Sequence, residues 1–109
     1  MTTANEYLNE INQLNTDVSN LLIKIKAIDK NSTRYVMKKG DIYKKFTQKF
    51  GKWTGNDYYE FNFPIITNLK NRIRSEKFNG SDKAELIHEI NTEVLPKCKE
   101  FAAMVQNRT

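Results

Sequence analysis

The chain has 109 residues, 39% hydrophobic and 28% charged, with six Phe, five Tyr and one Trp. That size and composition fit one globular domain with a core of its own; they exclude a disordered chain and one that needs disulfides or a structural metal to hold it. Eighteen basic against thirteen acidic residues leave a net charge of +5, a balance that favours nucleic acid, an anionic membrane surface or an acidic protein as partner.

Fourteen of the cations are Lys and only four are Arg. A lysine ammonium is a hydrated point charge, whereas arginine makes planar, bidentate contacts. Anion contacts are therefore expected at phosphate backbones, not at base edges. Cys98 is the single cysteine, which rules out an intrachain disulfide and points to a reducing setting. The opening residues, MTTANEYLNEINQ, are polar and lack the basic and apolar stretches of a secretory signal. No apolar run approaches the ~20 residues of a membrane span, and no lipidation signal stands at either end. A cytoplasmic protein without a membrane partner is expected.

The first predicted helix covers about residues 3–30. Tyr7, Ile11, Leu14, Val18, Leu21, Ile25 and Ile28 recur at alternating steps of four and three, a heptad seam. β-Branched residues at one core position and mostly Leu at the other suit a two-stranded coiled coil, so a homodimer through this helix is one use of the seam. The flanking Asn15, Asp17, Leu22 and Lys24 are not a complementary charge set. Apolar helices follow downstream to receive the seam, which favours an intrachain bundle. Leu8, Leu22 and Ile23 lie off the seam and are expected to widen the apolar face.

Ser32 or Thr33 is expected to cap a second helix over about 34–52, with Gly40-Asp41 as a place where it can break. On a wheel of about 100° per residue, Arg34, Lys38, Lys45, Lys49 and Lys52 share an arc of about 60°. Tyr35, Val36, Ile42, Tyr43, Phe46, Phe50 and Trp53 share an adjacent arc of about 120°, into which Lys39 intrudes. The pattern is an amphipathic helix with a basic ridge on its flank, provided that Gly40 keeps the phase.

Residues 53–64 form an aromatic-rich connection: Trp53, Tyr58, Tyr59, Phe61 and Phe63 are expected to pack into the bundle, to stack on unpaired bases or to anchor a protein interface. Pro64 suits the first turn of a third helix with Ile66, Leu69 and Ile73 as its stripe. Lys70, Arg72, Arg74 and Lys77 on that helix extend the ridge if the two helices pack side by side. Asn79-Gly80 is expected to end the third helix, and Ser81-Asp82 with Glu85 to begin a fourth. Leu86, Ile87, Ile90, Val94, Cys98, Phe101 and Val105 continue at helical spacing, with Pro96 kinking or splitting the helix.

Catalytic constellations are few. Glu85 and His88 share one helix face at the spacing of di-iron bundles, but a second histidine is missing, so neither a metal nor another cofactor is expected. Cys98 and His88 stand ten residues apart, about 15 Å along a helix, which argues against a catalytic pair. Gly40, Gly51, Gly55 and Gly80 build no phosphate loop. The sequence thus predicts a non-enzymatic, all-α domain of four to five helices spanning residues 1–109. It is read as a small accessory subunit on a nucleic-acid backbone (DNA or RNA), within a nucleoprotein complex. Arg34, Lys38, Lys45, Lys49 and Lys52 would make the phosphate contacts, supported by Arg72 and Arg74. The alternative is an adaptor or small inhibitor docking on an acidic or nucleic-acid-binding surface of a larger protein, with Trp53, Tyr58, Tyr59 and Phe61 as its anchor.

Overall fold

A computed structural model describes residues 2–54 and 61–106. It contains α1 (Ala4–Lys26), α2 (Tyr35–Phe50), α3 (Pro64–Ser75), α4 (Gly80–Glu89) and α5 (Leu95–Gln106). A π-helical turn, Ile90–Val94, joins α4 to α5 without a break. The described residues are therefore all-α, apart from a single antiparallel bridge between Thr54 and Asn62.

The helices form three rods in a bundle 52 × 27 × 20 Å. The first rod is α1. Alongside it, α2 runs back from the level of Ile28, beside Ile42, to that of Asp17, where Lys49 meets it. There α3 takes over and carries Arg72 to Glu10. The third rod, α4 through α5, runs parallel to α1: Leu86 lies beside Leu8, Lys97 reaches Asn15 and Ser19, and Glu100 pairs with Lys26.

The seam of α1 is the axis of this packing. Tyr7, Ile11, Leu14, Val18, Leu21 and Ile25 are buried, and Ile28 packs at the edge. A zipper dimer through the seam would have to expose it, because one chain already covers it. Leu22 joins the core, whereas Leu8 and Ile23 do not; Ile23 is 66% exposed. Apolar identity alone overstated the width of that face.

Several boundaries differ from those expected, for local reasons. Thr3 Oγ1 accepts from the Glu6 amide and fixes the start of α1. At α2 the Ser32 hydroxyl accepts from Arg34 N–H at 3.2 Å, but the first helical residue is Tyr35. Helix α3 stops at Ser75, a turn before Asn79-Gly80. Asn79 instead caps α4, its side chain accepting from Asp82 N–H at 2.9 Å. Pro96 does not split the last rod. In an α-helix its ring would press on the carbonyl one turn back; here Leu95 N–H bonds to Ile90 O, five residues back, and the widened turn makes the room.

Two glycines carry opposite expectations. Helix α2 runs through Gly40 unbroken, and a Cβ there would meet nothing within 4 Å. Gly51 has φ +81° and sits against Pro64, where a Cβ would lie 2.9 Å from Cγ. In urea unfolding, Gly40→Ala should stabilise the protein by about 0.5–1 kcal/mol. Gly51→Ala should cost about 1–3 kcal/mol.

Candidate nucleic-acid interface

The aromatic face of α2 orients the helix. Phe46 is fully buried, stacked on Phe101 at 4.4 Å and on Phe50 at 4.8 Å, with Phe63 edge-on at 5.9 Å. Aromatic pairs of this kind add about 0.5–1.5 kcal/mol each beyond the area they bury. Fixing that face inward turns the flank with Lys38, Lys45 and Lys49 outward. Helix α2 is shorter than the expected 34–52, so Arg34 is its N-cap and Lys52 lies past Gly51, whose positive φ ends the helix, but all five cations are exposed. Because Gly40 does not interrupt the helix, Lys38 to Lys49 form one line of about 16 Å. Val36, which the wheel put at the edge of the inward arc, is 77% exposed. Lys39, the intruder in that arc, lies over the Tyr35 ring at 5.2 Å.

The ridge borders α1 along two clefts. A cleft of 250 Å³ is lined by Lys45, Lys49, Lys24, Asp17, Asn20 and Leu21; the next, of 320 Å³, by Lys38, Lys24, Asp41, Ala27, Ile28 and Ile42. Lys24 lines both and belongs to the ridge, although it lies on another helix. Its signal in the sequence is the spacing Glu10, Asp17, Lys24, one heptad apart on the flank of α1 that faces α2 and α3. The first two of these positions hold cations: Asp17 Oδ2 lies 2.8 Å from Lys49 Nζ, and Glu10 binds Arg72. Lys49 is thus tied to α1. Arg34, Lys38, Lys45 and Lys52 have no ion-pair partner among the described residues.

The arginines of α3 are separated from one another. Arg72 donates two hydrogen bonds to Glu10, at 2.9 and 3.3 Å, and covers the Tyr7 ring at 5.3 Å. The hydrogen bonds to Glu10 hold its guanidinium above the usual range. Arg72 therefore pins α3 to α1. Arg74 bonds to Asn71, and its carbonyl accepts from Lys83. It lies on the face with Lys70, whose ammonium is pushed below the usual range, first by burial and then by Arg74 and Lys99. Since α2 and α3 run end to end, these cations do not widen the ridge.

Trp53 and Phe61 are half-buried in the core cluster. Trp53 packs on Tyr43 at 5.1 Å, Phe61 at 6.0 Å and Phe46 at 6.1 Å. They fill the side of the bundle where α2 gives way to α3. Tyr58 and Tyr59 lie outside the described residues. His88 is exposed beside Glu85 and Glu89, and no group of three metal-binding side chains forms among the described residues. No helix among those residues is long and apolar enough to cross a membrane.

No protein-family model, curated protein or solved structure matches the chain.

Cys98 is fully buried, and burial pushes its thiol up to about 12. At about pH 8 the native chain should hold on the order of a thousandfold less thiolate than a free cysteine. A thiol-reactive disulfide reagent should therefore label Cys98 in urea and leave the native protein unlabelled. The native thiol keeps its proton from pH 9 up to about 12, while the unfolded chain releases it. Stability should fall as pH rises through that window, and Cys98→Ala should flatten the fall in alkaline denaturation curves.

Proposed function

We propose that the protein is a non-catalytic binding protein whose α2 ridge docks on a nucleic-acid backbone, as a small accessory subunit of a nucleoprotein assembly. The observation that carries this reading is the set Arg34, Lys38, Lys45 and Lys52: exposed, with Lys38 and Lys45 on one side of α2 and Arg34 and Lys52 just beyond its two ends, and without acidic partners among the described residues. Unpaired cations in a row attract a polyanion and gain by releasing its condensed counterions. Lys24 adds a fifth charge from α1. The preference for Lys supports contact with phosphates without base reading. Trp53 and Phe61 hold the core together in this account and do not stack on bases.

Fluorescence anisotropy with short duplex and single-stranded DNA and RNA tests it. Binding should weaken with salt at a log–log slope of about −4 to −5 on duplex DNA, one phosphate for each of the five cations. Lys38, Lys45 and Lys52 changed together to Glu should weaken binding at least about tenfold at low salt. Arg72→Gln should leave affinity within about twofold while lowering stability, because its guanidinium is already engaged by Glu10. Absence of binding at low salt, or binding indifferent to the triple substitution, overturns the reading.

A further inference from the structure

The two ends of the bundle carry complementary surfaces. At the end formed by the start of α1 and by α4, a groove of 390 Å³ has an apolar floor of Ala4, Leu8 and Leu86. Its rim carries Asp82, Glu85 and Glu89 with His88 among them, and no Lys or Arg lines it. At the opposite end, where the chain turns from α1 into α2, Val36 and Met37 are 77% and 65% exposed. Arg34 and Lys38 stand on the ridge side of Met37, and the positive end of the α2 dipole lies at the same end. One end of the bundle thus carries an exposed apolar pair, or knob, beside cations, and the other an apolar groove rimmed by carboxylates.

We propose that the groove receives the α2 knob of a second copy of this chain, so that the protein associates head to tail. Val36 and Met37 seat on Leu8 and Leu86, while Arg34 and Lys38 meet Glu85 and Glu89. Joining different patches of identical chains makes a heterologous contact, which propagates instead of closing on itself as a two-fold dimer does. Charge complementarity at the rim makes the association faster and tighter at low salt. The contact is small, so the association is weak, with Kd in the range of about 10 μM to 1 mM. This inference goes beyond the ridge reading and does not need it, and its test contains no nucleic acid.

Sedimentation velocity of the full chain at rising concentration, at low and at high salt, gives the first readout. The weight-average mass should climb past that of a dimer at low salt and fall back in high salt. Two single variants then separate knob from groove. Met37→Glu places a carboxylate opposite the acidic rim, and Leu8→Lys puts a charge on the groove floor. Both positions are exposed, so circular dichroism should show native folding for each. Each variant alone should stay monomeric, with association weakened at least about tenfold. Mixed in equal amounts they should form a one-to-one dimer and stop there, because each supplies the half that the other lacks. A wild-type chain that stays monomeric at low salt up to about 1 mM overturns the proposal. So does either variant associating like the wild type, or a mixture of the folded variants that stays monomeric.

Discussion

The seam of α1 sets the architecture. It offers an apolar stripe along a helix of about 35 Å, and every residue of it from Tyr7 to Ile25 must be covered on two sides. The rod from α4 to α5 is long enough to cover one side alone, because the π turn carries the helix past Pro96. On the other side α2 reaches only about 24 Å, and α3 supplies the rest. The joint between them is the weak point of such a design. It is closed by Gly51 folded against Pro64, by the Thr54–Asn62 bridge and by the rings around Phe46.

The distribution of charge follows from this packing. With Phe46 and Phe50 turned inward and Ile42 beside Ile28, the lysines of α2 can only lie along the groove with α1 and beyond it. Glu10 and Asp17 neutralise two cations there and so bind the rods to each other; surface pairs of this kind are worth about 0–1 kcal/mol each, so they direct register more than they add stability. The cations left over make the ridge. Three acidic side chains without such partners among the described residues, Asp82, Glu85 and Glu89, line the groove around Leu8 and Leu86 at the far end. One molecule thus has a basic flank and an acidic tip.

Much of this was legible in the sequence. The heptad period of α1 and the wheel of α2 follow from apolar spacing, which packing enforces residue by residue; the first describes the core of α1, and the second places Ile42, Tyr43, Phe46 and Phe50 inward as found but not Val36. Other features depend on what comes from elsewhere in the chain. Arg72 resembles Lys38 or Lys45 until Glu10, 62 residues away, is placed beside it. Asn79 is as fit to end a helix as to begin one; only the course of the backbone after Ser75 decides for the cap of α4. Pro96 signals a disturbance but not its form, because a kink, a break and a π turn all relieve the same clash. Val36 and Ile23 are apolar by identity, yet no other element of the bundle covers them. The acidic groove was invisible for the same reason, since α1 and α4 are joined only through the folded chain.

The account rests on α2 being one helix held by its aromatic face, since a break at Gly40 would scatter the ridge and free the knob. Amide hydrogen exchange along α2 measures this directly. The amides from Lys39 to Phe50 should be protected as one unit, those around Gly40 and Asp41 included, and should open together with the buried amides of α1. Fast exchange from Lys39 to Lys44, with protection confined to the turns around Phe46 and Phe50, would contradict it.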